Sequence, residues 1–241
     1  MKLLPNTFRP AFLVGSLLVP AAVMATIDVA IKGGVILPLS GTFHESISDG
    51  FFSIDSKSFD DIYDPIGTIG IEVIGHTGSR SQIFAGFAYE NGEADRLAVG
   101  SVPGLGGSEV LAKFDDYTAY SFYLGARYIF DAPGNLYPFV SVLGGYKRVN
   151  EISVDLTIPD ANINTGKVAF YDESDVLFGG FDVGLRYQFS PSFSVVGEVG
   201  LRYQTKLDDD DAAISALGLE NLNDGEGFLT VPLTISANLT F

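Results

Sequence analysis

Apolar residues recur at every second position along much of this chain, most cleanly over residues 176–204. Leu177, Phe181, Val183, Leu185, Tyr187 and Phe189 fall on one face; Val176, Phe178, Gly180, Asp182, Gly184, Arg186 and Gln188 fall on the other, because side chains alternate across a strand. Ser190-Pro191-Ser192 interrupts the run with turn residues. The alternation then resumes, with Phe193, Val195, Val199, Leu201 and Tyr203 opposite Ser194, Val196, Glu198, Gly200, Arg202 and Gln204. Two antiparallel strands joined by a tight turn are predicted.

The same pattern predicts six more strands. Tyr120, Phe122, Leu124, Tyr128 and Phe130 oppose Ser121, Tyr123, Gly125 and Arg127, and after "DAPGN" (131–135) Pro138, Val140, Val142 and Tyr146 oppose Phe139, Ser141, Leu143 and Lys147. Ile69, Ile71 and Val73 oppose Gly70 and Glu72, and after "HTGSRS" (76–81) Ile83, Ala85, Phe87 and Tyr89 oppose Phe84, Ala88 and Glu90. The first strand sets Ile27, Val29, Ile31 and Val35 against Asp28, Ala30 and Lys32. The last sets Leu229, Val231, Leu233, Ile235, Leu239 and Phe241 against Thr230, Thr234, Ser236 and Asn238.

Connections between these strands alternate in length. Short turns fall near 76–81, 131–136 and 190–192, and long polar segments near 38–62, 92–115, 151–173 and 206–226. Brief turns at one end and long loops at the other are the signature of a transmembrane barrel. Aromatic residues on the apolar face sort into two levels: Tyr128, Phe130, Tyr187, Phe189, Phe193 and Phe241 near the short turns, and Tyr89, Tyr120, Tyr146 and Tyr203 further up. At ordinary strand rise and tilt the two levels stand roughly 20–25 Å apart, the spacing of interfacial girdles around an apolar band. The predicted fold is all-β: an eight-stranded antiparallel up-and-down transmembrane barrel with four long external loops and short periplasmic turns.

Composition adds an address. Residues 1–25 combine Lys2 and Arg9 with the apolar run "AFLVGSLLVPAAVMA", and Val23-Met24-Ala25 suits cleavage before Thr26. That is a secretory signal, leaving 26–241 as the barrel domain. Losing Lys2 and Arg9 takes the net charge from −16 to −18, which argues against a nucleic-acid partner. Cysteine is absent, so disulfides and thiolate metal sites are excluded. No cofactor is expected.

No charged residue lies mid-strand on the apolar faces. The opposite faces carry Lys32, Arg127, Lys147, Arg186 and Arg202 together with Asp28, Glu72, Glu90, Asp182 and Glu198. The interior of an eight-stranded barrel is just wide enough to be filled by side chains, and charges there must be paired. A layered ion-pair network is therefore expected. By distance from the short turns, Glu72, Arg127 and Arg186 form the lowest layer, Lys32, Asp182 and Glu198 the next, and Glu90, Lys147 and Arg202 the highest. Two of the arginines sit in an exact repeat, "GLRYQ" at 184–188 and 200–204, and "GARY" at 125–128 is a looser copy. Gly184 and Gly200 are expected to leave room for the guanidinium stems.

With these features in place, residues 26–241 resemble the small eight-stranded outer-membrane barrels of Gram-negative bacteria, of the OmpA transmembrane-domain, OmpX and opacity-protein type. The resemblance rests on strand count, loop asymmetry, the "G-[AL]-R-Y" strand ends and the final strand "VPLTISANLTF". It implies residence in the cell outer membrane after signal cleavage, among outer-membrane lipid and lipopolysaccharide. It also implies that Leu239 and Phe241 belong to a C-terminal signal read by the barrel-assembly machinery. Nothing follows Phe241 here, so a peptidoglycan-binding role is in doubt.

Candidate chemistry is sparse. His76 falls at a short turn, and His44 in the first long loop beside Ser40, Ser46 and Ser48, neither forming a triad-like constellation. The long loops are acidic, with "DDDD" at 208–211 and Asp60, Asp61, Asp64, Asp115, Asp116, Asp172, Glu173 and Asp175. They read as solvated surface, with loose Ca²⁺ or Mg²⁺ binding as the functional alternative. "GSVPGLGG" (100–107) reads as a flexible loop tip, and "AAISALGLENL" (212–222) as a short amphipathic helix. The expected function is non-enzymatic: an outer-membrane surface protein contributing to envelope integrity or to adhesion through loops that meet a host or surface ligand. The alternative is a narrow porin-like channel through the charged lumen.

Overall fold

The computed structural model describes residues 26–48, 53–209 and 222–241. The expected secretory signal (1–25) and nearly all of the helix expected at 212–222 lie outside the described residues, as do Asp210 and Asp211. Eight strands carry the wall: β1 (Ile27–Ser40), β6 (Ile66–His76), β7 (Ser81–Gly92), β10 (Tyr117–Ile129), β11 (Leu136–Val149), β14 (Ser174–Ser190), β15 (Phe193–Gln204) and β16 (Phe228–Thr240). Each pairs antiparallel with the next in sequence, and β1 pairs with β16, closing the barrel. Asp28 stands opposite Thr240 at the seam, and the Phe241 N–H donates to the Ile27 carbonyl at 2.9 Å. Closure leaves no unpaired sheet edge in the wall.

The alternation places side chains as a pleated strand requires. Ile31, Ile69, Val142, Leu177 and Ile235 point outward and are each 60–65 % exposed, whereas Asp28, Glu72 and Asp182 point inward and are at most 3 % exposed. Ordinary protein surfaces do not expose contiguous apolar patches this large. The outer wall is oily and the interior polar.

The long connections are not irregular. They hold β2 (Thr42–His44), β3 (Ile47–Ser48), β4 (Ser53–Ile54), β5 (Lys57–Ser58), β8 (Arg96–Val102), β9 (Ser108–Phe114), β12 (Ile152–Ile158) and β13 (Ile163–Tyr171), with a one-turn helix α1 (Phe59–Ile62). Three connections contribute to one six-stranded sheet in the order β13-β12-β9-β8-β4-β3, and β2 pairs with β5. This cap has its own apolar core. Phe43 is its centre, with the rings of Phe59, Tyr63, Phe114, Phe170 and Tyr171 at centroid distances of 5.1–5.9 Å.

The cap corrects one sequence expectation. Residues 100–102 of "GSVPGLGG" are strand, with Val102 fully buried, and only Pro103–Leu105 turns, as a single 3₁₀ turn. Gly106 and Gly107, at φ +75° and +86°, make that hairpin possible. Leu222, the one described residue of the expected 212–222 helix, is buried in the cap core.

Candidate functional site

The lumen is where this fold concentrates chemistry, and it divides into four charge groups. Nearest the short turns, Arg186 Nη2 lies 3.4 Å from Asp28 Oδ2, and His76 Nε2 lies 3.1 Å from the same oxygen. Above it, Arg127 Nη2 reaches Glu72 Oε1 at 3.2 Å and Glu198 Oε2 at 3.4 Å, and Lys32 pairs with Glu198 and stands 4.0 Å from Glu72. Tyr123 donates its hydroxyl to Glu72 at 3.3 Å, and Thr234 donates to Glu198 at 3.0 Å. Arg202 Nη1 meets Asp182 Oδ1 at 2.6 Å, while Ser141 donates to the other carboxylate oxygen at 3.2 Å. Highest, Lys147 Nζ donates to Glu90 at 2.7 Å and to the Gln204 amide oxygen at 3.0 Å.

The pairs follow the simple layers only in part: Arg127–Glu72, Lys32–Glu198 and Lys147–Glu90 keep within them, and the others do not. Arg186 joins Asp28 instead of Glu72, and Arg202 reaches down to Asp182. In the ladder Asp182 stands opposite Gly200, and Gly180 opposite Arg202, so the guanidinium only has to lean two residues along the strand to find its carboxylate. Distance along a strand is a poor proxy for height when neighbouring strands are staggered.

The glycines of the repeat have unequal roles. A Cβ on Gly200 would stand 2.0 Å from Asp182 Oδ1 and 2.6 Å from Arg202 Nη1, so Gly200 does make room for its arginine. Gly184 does not. A Cβ there would meet the Phe139 ring at 2.3 Å, and one on Gly125 would meet the Phe84 ring at 2.3 Å. Those two rings in turn carry the Arg127 guanidinium carbon at 4.5 and 5.1 Å from their centroids. Arg127 is thus held by two carboxylates and two ring faces, each an attractive partner for a weakly hydrated guanidinium. Sequence spacing revealed the charges but not the aromatic seats beneath them.

A cavity of about 70 Å³ lies between the upper charge groups, lined by Lys32, Asp182, Arg202, Glu90 and Lys147 with Tyr123, Ser121 and Phe178 among others. Such a volume with polar walls suits a few water molecules. The cap core closes over it: Tyr117, Ala119, Val149, Val176 and Phe228 at the strand ends belong to the same buried cluster as Phe43 and Phe59, and Phe59 stacks on Phe228 at 4.1 Å.

On the outer wall the expected girdle residues occupy the two ends of the strands. Tyr120, Tyr128, Phe130, Tyr187, Phe189, Tyr203 and Phe241 are exposed, and Tyr89, Tyr146 and Phe193 are partly covered. Tyr89 packs on Tyr120 at 5.3 Å, Tyr128 on Phe130 at 5.2 Å, and Phe189 on Tyr187 at 4.7 Å and Phe193 at 5.6 Å. Leu239 and Phe241 both face outward at the seam.

Charge is partitioned as sharply as hydrophobicity. The lumen balances five cations against five carboxylates, and Arg80 pairs with Asp131 at the short turns. Among the described residues the remaining excess, 20 carboxylates against 6 cations or −14, therefore belongs to the cap and the strand ends entering it. Within the cap the Ser58 N–H and Oγ–H donate to Asp61 at 2.9 and 2.6 Å, lowering its carboxyl below the usual range. Burial raises the phenols of Tyr63 and Tyr171; the Tyr63 hydroxyl donates to the Asp115 carbonyl at 3.1 Å and that of Tyr171 to the Phe43 carbonyl. His44 lies in β2 and His76 at the end of β6. Among the described residues His76 meets the Asp28 carboxylate and the Gln82 amide, His44 only the Glu45 carbonyl, and neither hydrogen-bonds a serine of the kind nucleophilic chemistry requires.

No protein-family model and no curated protein matches the chain in sequence. In three dimensions it is similar to the outer membrane protease OmpT from Escherichia coli, at 11% identity over 90% of this chain and 97% of that one, with a TM-score of 0.46. It is similar to a major outer membrane protein from Thermus thermophilus, at 14% identity over 90% and 99% and a TM-score of 0.45. It is also similar to neisserial surface protein A, at 13% identity over 90% and 96% and a TM-score of 0.44. These stand as likenesses, while the eight-stranded barrel itself rests on its own closed ladder of hydrogen bonds.

Proposed function

We propose that the protein is an integral outer-membrane barrel whose role is non-enzymatic: envelope integrity, or adhesion through the acidic cap. The carrying observation is the reversal of polarity across the wall, with an uncharged apolar exterior between aromatic ends and every mid-strand charge turned inward, only Arg148 and Asp175 at the cap end facing out. An exterior of that kind needs lipid as its solvent. The lumen cations face carboxylates of the same lumen, and an apolar core lies over them, which favours a filled interior over a conduit. The acidic cap is then the surface left to meet lipopolysaccharide, divalent ions or a partner. The C-terminal strand, ending in Leu239 and Phe241, is suited to recognition by the barrel-assembly machinery.

A second reading, a narrow channel, draws on the polar cavity. Planar-bilayer recording of protein whose folding has been checked by a gel shift between boiled and unboiled samples separates the two. Silence is expected. Stable conductance that changes with Arg202→Leu or Glu198→Gln would replace the surface-protein reading with the channel. Turnover of phospholipid or lipid A by the folded protein would overturn the non-enzymatic assignment.

A further inference from the structure

His44 occupies an unusual position for a titratable group. Its ring is 1 % exposed and sits in the cap core, with centroids 6.2 Å from Phe114 and 6.4 Å from Phe170. Nδ1 donates to the Glu45 carbonyl at 3.2 Å, which leaves Nε2 as the unprotonated nitrogen, and Nε2 is buried with no hydrogen-bond partner among the described residues. It adjoins a void of about 10 Å³ lined by Ile54, Val99, Ala112, Leu156 and Leu222 among other apolar residues. The elements packed on the ring, β4, β8, β9, β12 and β13, therefore offer it hydrocarbon and aromatic carbon.

The charged groups that reach His44 come from its own end of the cap. Lys57 stands opposite it in the β2–β5 pair, and Asp55 and Asp61 lie within electrostatic range. Burial dominates these influences and holds the imidazole below the ordinary histidine range; Lys57 acts the same way, while the Glu45 carbonyl, Asp61 and Asp55 oppose it. A charged imidazolium here would direct its second N–H at apolar carbon, and an unpaired buried charge is strongly disfavoured.

We infer that the cap is an acid-released lid over the lumen with His44 as its trigger: one proton taken up at Nε2 loosens the cap and leaves the barrel folded. The sign follows from linkage. In the open cap His44 is solvated and titrates near 6.5, so the closed cap keeps its full stability above about that pH and loses it as the pH falls below, by up to about tenfold per pH unit. Cap carboxylates ordinarily titrate near 4, so the interval from about pH 6.5 to 5 belongs to histidine. His76, the other imidazole, lies at the opposite end of the barrel beside Asp28. Opening would uncover Tyr117 and Phe228 and, beneath them, the Lys147–Glu90 pair.

Amide hydrogen exchange of the folded protein in micelles, corrected for the intrinsic pH dependence of exchange, tests this directly. Between pH 7 and 5, β8, β9 and β12 should lose protection progressively, by up to about tenfold per pH unit, while β6, β7 and β10 hold theirs. His44→Phe should remove that loss. An equal loss in His44→Phe, or no loss in the unaltered protein, overturns the inference. Should His44→Phe fail to build the cap at pH 7.5, the titration of His44 in the unaltered protein decides, read by imidazole carbon-bound hydrogen exchange and mass spectrometry. A value below the ordinary range supports the trigger, and one at or above about 6.5 overturns it.

Discussion

The barrel and the cap follow one alternation and fill it in opposite senses. In the barrel the apolar positions of β1, β6 and β14 face out, and the inward positions hold Lys32, Glu72 and Asp182. In the cap the apolar positions face in around Phe43, and the surface carries the excess of carboxylates among the described residues. Closure explains why the barrel tolerates this. Its backbone groups are paired all round by neighbouring strands, so the wall needs no continuous oily centre, and the inside mixes matched charges with a small apolar cluster of Ala30, Ile74, Phe84 and Tyr123. The cap sheet is open, with β13 and β3 as edges, and must bury one face to exist at all. One region is held by ladder and ion pairs, the other by packed rings.

That contrast breaks most visibly at Arg127. Arg127→Leu leaves Glu198 and Glu72 with one cation between them, Lys32, which stands 4.0 Å from Glu72, and removing one member of a buried charge group costs about 3–5 kcal/mol. A marked fall in the urea midpoint of the heat-modifiable gel shift is expected. Little change would mean that Phe84 and Phe139 hold the site without the charge. Phe43→Ala removes the ring shared by five neighbours, at a similar local cost of about 3–5 kcal/mol. Its effect should stay in the cap: proteolysis within residues 96–114 and 152–171 with the barrel midpoint preserved. A barrel that falls with it would make the two regions one cooperative unit.

How much of this was legible differs between the regions for the same physical reason. A barrel strand is long and its outward face uniform, so period-two counting finds it and its pairing partner is the next strand along. The ten lumen charges stood out as the charged residues of the inward face. Cap strands are shorter, β3, β4 and β5 having two residues each, and the pairings that join them into one sheet cross between connections: Ile54 stands opposite Gly100, and Phe114 opposite Val154. Phe43, Phe59 and Phe170 are scattered through stretches rich in aspartate, so no local window marks them as core. The repeat was visible in "GLRYQ", yet the ring that needs Gly184 comes from the neighbouring strand β11, and sequence spacing holds no record of that approach.

The smallest effects test the inward and outward faces within a single strand. Gly200 and Gly197 both lie on β15, three residues apart and on opposite faces. A Cβ at Gly200 enters the space of the Asp182 carboxylate and the Arg202 guanidinium, whereas one at Gly197 meets nothing within 4 Å. Gly200→Ala should therefore displace a buried ion pair and lower stability by about 1–3 kcal/mol, as overpacking does. Gly197→Ala should stay within about 0.5 kcal/mol of the unaltered protein, with any change favouring the fold because alanine gives up less backbone freedom in a strand than glycine. The two midpoints, measured side by side, isolate the lumen from the wall. Equal losses would show that β15 tolerates no side chain at either face and that strand geometry sets the limit. A loss at Gly200 alone, relieved when Arg202→Leu is added, would assign it to the charge pair that the glycine accommodates.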